Sequence, residues 1–211
     1  YIYMLRHGLG CLKRTIMTNP KQLTFPWEKN FKASFDGFFC DDKNIDLIDN
    51  LKADKGDDMF IYGPSNIGKT DLLQAVTSFY SDLQKTALYI PLSEVKKYDT
   101  SIIDGACEAD IVCVDSIDEV VGLMDWEVGL FNLINDASQT SCRLIFSASI
   151  NIGMLNFVLP DLESRVRKLS SFEMFSVQNK NLNLALMHIA NFRSINLGER
   201  EINYLLSYTK R

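Results

Sequence analysis

The stretch GPSNIGKT, Gly63 to Thr70, constrains this chain more than any other. It fits the pattern G-x-x-x-x-G-K-[ST]. Its glycines let the loop Gly63, Pro64, Ser65, Asn66, Ile67, Gly68 curl until backbone N–H groups point inward at phosphate oxygens. In such a loop Lys69 reaches the β- and γ-phosphates, and the Thr70 hydroxyl ligates Mg²⁺. The helix that follows turns its positive dipole end to the anion. The expected ligand is ADP or ATP with Mg²⁺.

A phosphate loop of this kind needs a strand before it and a helix after it. MFIY, Met59 to Tyr62, reads as a short buried strand. Thr70 to Leu83 carries Leu72, Leu73, Val76, Phe79, Tyr80 and Leu83, spaced for a helix with one apolar face. Further strands are predicted at Ala87–Pro91, Ile111–Val114, Arg143–Ala148 and Phe172–Val177, with a helix over Trp126–Ala137. Ahead of the first strand, Ile45, Leu47, Ile48 and Leu51 mark another helix. Strands alternating with helices build a parallel sheet covered on both faces. The fold class is therefore α/β, a five-stranded parallel sheet of P-loop NTPase type. Its ligands bind beyond the carboxyl ends of the strands. After residue 178 the pattern turns purely helical. Leu182, Leu186, Ile189 and Ala190 mark one helix, Gly198 breaks it, and Glu201 to Tyr208 starts a second. This is expected to be a small lid, incomplete at Arg211.

The expected division is thus 35–177 for the α/β domain and 178–211 for the partial lid. Residues 17–34 form an N-terminal tail. Residues 1–16 read as an upstream or added extension, with Met17 as the natural start.

Composition narrows the role. Of 211 residues, 46% are hydrophobic, enough for a sizeable core, and the net charge is −5. An acidic chain is not one whose main business is neutralising nucleic-acid phosphates. The five cysteines form no CxxC pair and no Cys/His cluster, which suggests a reducing cytoplasm without disulfides or zinc. No apolar run reaches the ~18 residues a membrane span requires.

Asp115 follows the apolar run IVCV. A carboxylate there would sit beside the phosphate loop and hold Mg²⁺, directly or through water. The plainer alternative is a strand-end Asp capping a turn. A second acid would normally follow, but Ser116 stands there, and a hydroxyl is a poor general base near neutral pH. Asp118 or Glu119 remain as acids that could point inward. The residues argue for nucleotide binding with slow hydrolysis.

Together, the strand, GPSNIGKT, IVCVDSID and the helical end piece resemble the AAA+ module of the DnaA family of bacterial replication initiators. The resemblance runs from about Gln22 to Arg211. It is closer still to the Hda branch, small DnaA-like proteins that inactivate the initiator. QLTFP, that is Gln22, Leu23, Thr24, Phe25 and Pro26, resembles the peptide by which such proteins bind the β sliding clamp. Leu23 and Phe25 would fill apolar pockets, and Pro26 limits the conformations lost on binding. The alternative is an apolar tail tucked against its own domain. LPDLESRV, Leu159 to Val166, resembles a segment in which Arg165 matches the arginine finger acting on another subunit's γ-phosphate. The alternatives are an ion pair of Arg165 with Asp161 or Glu163, or Arg167 in its place. ALYIPL and DWEVGLFNLIN match scaffold segments and are given no functional role.

Departures from the family pattern also count. Ser149 stands at the sensor I position, and the sensor II arginine lies beyond Arg211 or is absent. No counterpart of the initiator's DNA-binding domain is expected within residues 1–211, in keeping with their acidic composition. The resemblance therefore implies a cytoplasmic negative regulator of replication initiation. Its partners would be DnaA and a DNA-loaded clamp, with DNA reached mainly through the clamp and no membrane. A homodimer stays open. Two rivals stand beside it: a DnaA-like or helicase-loader-like ATPase with its own turnover, and a non-catalytic clamp-binding scaffold.

Overall fold

The computed structural model describes residues 33–53 and 56–208. A short 3-10 turn at Asp42–Asn44 leads into α1 (Ile45–Lys52). Then come β1 (Met59–Tyr62), α2 (Lys69–Asp82), β2 (Ala87–Pro91), α3 (Leu92–Val95) and β3 (Ile111–Asp115). These are followed by α4 (Met124–Gln139), β4 (Arg143–Ala148), α5 (Pro160–Val166) and β5 (Ser170–Glu173). The lid consists of α6 (Leu182–Phe192) and α7 (Glu199–Tyr208).

The strands form one parallel sheet in the order β2-β3-β4-β1-β5. Successive strand residues face opposite sides, so a continuous apolar run feeds two cores at once. Phe60, Val112, Val114, Leu144 and Phe146 pack with Trp126, Leu130 and Leu133 of α4 and Leu162 of α5. Met59, Ile61, Ile111, Cys113 and Ile145 pack with Leu47 and Leu51 of α1 and Leu72, Leu73 and Val76 of α2. Helices therefore cover both faces, as the alternating pattern predicts. None among the described residues is long and apolar enough to cross a membrane.

Two details differ from the expectation. The fifth strand spans Ser170–Glu173 rather than Phe172–Val177. It is an edge strand that pairs only with β1, from Met59↔Ser170 to Tyr62↔Glu173, so the ladder ends where β1 ends. The apolar residues that followed wall a cavity instead: Met174, Phe175 and Val177 all line it. The first helix includes all four expected residues, but Ile45 is exposed, off the face that Leu47, Ile48 and Leu51 bury.

Arg143 opens β4 from a buried position and closes the far end of α1. Its guanidinium donates to the carbonyls of Asn50 (2.9 Å), Leu51 (3.3 Å) and Ala53 (3.2 Å), and to the Tyr80 hydroxyl (2.9 Å). The last carbonyls of a helix have no intrahelical donor, and here one cation supplies it.

Candidate functional site

The phosphate loop leaves the carboxyl end of β1, between β4 and β5. Gly63 donates its N–H to the Ala148 carbonyl of β4 (3.3 Å). A Cβ at Gly63 would meet the Met174 carbonyl oxygen at 2.5 Å, so only glycine lets the two backbones pass. Gly68 takes φ +100, a left-handed turn that starts α2. Pro64, Ser65 and Asn66 are exposed along the loop, and Ile67 is half-buried.

Lys69 is buried and folds back over this loop. Its ammonium donates to the carbonyls of Gly63 (2.7 Å) and Pro64 (2.8 Å). Burial pushes its pKa down, while the charges of Asp118 and Asp115 oppose the shift. The ammonium thus lies within the loop with two carboxylates nearby.

Asp115 ends β3 and is buried. The Thr70 hydroxyl donates to its Oδ2 (2.7 Å), as does the Tyr89 hydroxyl (2.8 Å). The Ser147 hydroxyl donates to Oδ1, and the Ser116 hydroxyl lies 3.4 Å from the same oxygen. Strand alternation explains the set. Cys113 and Ile145 face α2, so Asp115 and Ser147, each two residues on, face α2 as well. Tyr89 sits opposite Cys113 in the ladder and shares that face. Burial first, and then the charge of Asp115, push the Tyr89 phenol far above its ordinary range, so it serves as a fixed donor.

The second acid comes from an unexpected place. Ser116 adopts a left-handed conformation, φ 64 and ψ 58, and donates its N–H to the Ser147 hydroxyl (2.9 Å). That turn reverses the chain into a 3-10 turn, Ile117–Glu119, and brings Asp118 back to the sheet. The Ser149 hydroxyl and N–H both donate to the Asp118 carboxylate, the latter at 3.2 Å. Of the two acids left open by the sequence, Asp118 faces the site. Glu119 pairs with Lys96 at 2.6 Å on the surface.

The structure therefore brings Gly63, Gly68, Lys69, Thr70, Asp115, Asp118 and Ser149 to one end of the sheet. The phosphate loop and Lys69 can bind a phosphate chain. Thr70 and Asp115 can share a Mg²⁺ ion once their mutual hydrogen bond opens. A cavity of about 580 Å³ adjoins the loop at Asn66, Ile67 and Gly68, with walls from Phe38, Met174, Phe175 and Ile189. A slot of this size with apolar walls suits a planar base. No motif announces it, because its walls come from the N-terminal turn, the end of β5 and the lid.

Arg165 lies elsewhere, exposed on α5. Its neighbour Arg167 pairs with Glu163 at 2.6 Å, whereas the Arg165 guanidinium has no partner among the described residues. The peptide Gln22 to Pro26 lies outside the described residues.

Solved structures with the same architecture include DnaA proteins. AMPPCP-bound DnaA from Aquifex aeolicus superposes with a TM-score of 0.71 at 19% identity, over 86% of this chain and 62% of that one. Domain III of DnaA from Thermotoga maritima gives 0.71 at 17% identity, over 84% of this chain and 81% of that one. The fold is that of a DnaA-like AAA+ P-loop NTPase. This chain spans about three fifths of the longer DnaA chain it matches, and identities this low carry the fold alone. An uncharacterized protein from Haemophilus influenzae is 29% identical over 196 residues, which is 90% of this chain and 84% of that protein. No protein-family model matches the chain.

Proposed function

We propose that this chain is a nucleotide-binding AAA+ regulator of bacterial replication initiation, which stimulates hydrolysis of ATP held by an initiator of its own fold. The observation that carries this reading is the difference between two arginines at the end of one short helix, Arg165 in its last turn and Arg167 just past it. Arg167 is occupied by Glu163, while Arg165 is exposed and has no partner among the described residues. A guanidinium is always charged and its fork matches phosphate oxygens. Supplied in trans, such a group raises phosphoryl transfer by about 10³ to 10⁵. AMPPCP in the DnaA structure supports a nucleotide in the corresponding loop of this chain, and ADP is the form expected to hold it in a competent shape.

Gln22 to Pro26 would tether the chain to a clamp on DNA. A tether converts the second encounter into a local one at roughly millimolar effective concentration. The test is the rate of initiator-bound ATP hydrolysis with DNA-loaded clamp. The wild-type chain and Arg167→Ala should both raise it, and Arg165→Ala should not. If Arg165→Ala is fully active, the reading is wrong. Leu23→Ala/Phe25→Ala should keep nucleotide binding and lose clamp dependence.

One observation favours a second reading, an ATPase with its own turnover. Asp118 supplies an acid that Ser116 does not, beside Lys69 and bound to Ser149. Steady hydrolysis by the purified chain, abolished by Lys69→Ala, would support it.

A further inference from the structure

Glu127 is a carboxylate in the wrong place for a surface helix. It sits in the first turn of α4 and is fully buried, at 0% exposure. Among the described residues no cation faces it. Its partners are backbone N–H groups from two separate segments. Gly122 donates to Oε1 at 2.7 Å, Leu159 donates to Oε2 at 2.6 Å, and Val158 reaches both oxygens at 3.1 and 2.9 Å.

Those two segments matter for the site. Gly122 lies in the next turn, just beyond the 3-10 turn Ile117–Glu119 that carries Asp118. Val158 and Leu159 lead directly into α5, and Leu159 provides no side-chain cap. This seven-residue helix starts on Pro160, whose fixed φ suits a first turn, but has no side chain of its own to accept the N–H groups ahead of it. Glu127 supplies that acceptor from a neighbouring helix, and Leu162 and Val166 then pack α5 into the core. Arg165 rides on the last turn of this same helix.

We propose that Glu127 is the positioning residue of Arg165. It ties the entry of α5 to the acidic turn behind β3, so that the arginine is presented in one orientation. The proposal rests on the reading of Arg165 as the group that acts on a partner's nucleotide. A carboxylate suits the task because both its oxygens accept and each can serve one segment. Glutamine has the same shape but one accepting oxygen. Its amide N–H₂ would face a backbone N–H, and one of the two segments would be released.

The test compares wild type, Glu127→Gln, Arg165→Ala and the double variant in the clamp-dependent assay of initiator-bound ATP hydrolysis. Glu127→Gln is expected to lower the maximal stimulated rate by about 10²-fold, the cost of a small misplacement of a reacting group. The concentration giving half-maximal stimulation should stay within about twofold, because the docking surface is untouched. The double variant should be no worse than Arg165→Ala alone, as for residues that act through one another. Glu127→Asp, which keeps both oxygens on a shorter arm, gives the same comparison should Glu127→Gln fail to fold.

Full stimulation by a folded Glu127 variant, with Arg165→Ala inactive, would overturn the proposal. So would a loss in the double variant that multiplies the two single losses. If Arg165→Ala itself stimulates fully, the functional reading fails and this inference falls with it, a result visible from that arm alone.

Discussion

Asp118 and Ser149, separated by 31 residues in sequence, are hydrogen-bonded to each other at the carboxyl end of the sheet. The contact joins the turn after β3 to the end of β4, beside the loop that carries Lys69. It places a carboxylate where the residue directly after Asp115 offers only a hydroxyl.

Any hydrolysis by this chain should therefore run through Asp118. In single-turnover assays with radiolabelled ATP, Asp118→Asn is expected to lower the rate by about 10²-fold or more, the usual contribution of a positioned base. Affinity for a fluorescent ADP should change little. An unchanged rate would mean that Asp118 only braces Ser149.

Lys69 spans the loop from Gly63 to Pro64, so its removal should affect ligand binding more than folding. With ADP at a hundredfold excess over Kd, the wild-type chain should gain about 2.7 kcal/mol, a rise in Tm of roughly 5–10 °C. Lys69→Ala should show little or no rise. A full shift in the variant would place nucleotide binding elsewhere.

Arg143 should be among the most costly residues to replace. Arg143→Met leaves the buried Leu51 carbonyl without this donor, while the carbonyls of Asn50 and Ala53 lose one bond each but keep the Ala53 N–H and the Tyr80 hydroxyl. A loss of about 3 kcal/mol is expected in urea unfolding, from one orphaned buried acceptor at about 1–3 kcal/mol and the weaker loss of the other bonds. A loss below about 1 kcal/mol would show that water replaces the guanidinium.

Acid should loosen the seam between the N-terminal turn and the lid. Asp41 accepts from the Gln178 N–H (2.7 Å) and side chain (2.9 Å), and from the Asn181 side chain (3.2 Å). These bonds, led by the Gln178 backbone N–H, hold its carboxyl below the ordinary range. The folded chain thus binds this proton more weakly than the unfolded chain. Its contribution is complete above the ordinary carboxylate pKa of about 3.9 and is lost as pH falls through the lower, folded value. Asp41→Asn should be less stable at neutral pH and flatten the acid limb of a stability–pH profile. An unchanged limb would remove Asp41 from the seam.

How much of this could be read beforehand depends on where the signal lay. β1 to β4 were legible because their apolar runs face two cores, and the phosphate loop because its spacing is fixed by chemistry. β5 was misplaced because Met174 and Phe175 are apolar to wall a cavity, which no periodicity reveals. Asp118 was undecided because the left-handed Ser116 redirects the chain, and a serine does not announce that conformation. Tyr89 was within reach, since pairing the second and third strands puts it on the face of Asp115. Glu127 also left a trace. It falls on the helical stripe of Leu130, Ile134 and Ala137, all buried, where a charge demands partners.

The strand order carries a consequence for synthesis. β1 is early in the chain, yet its two neighbours in the sheet are β4 and β5, the last strands made. A ribosome that has delivered only through β3 has released a phosphate loop with no strand on either side of it. Contacts this distant in sequence close late and slowly. Capture of nucleotide by a nascent chain should therefore switch on only after residue 173 has left the exit tunnel, which makes the loop a built-in reporter of a completed sheet.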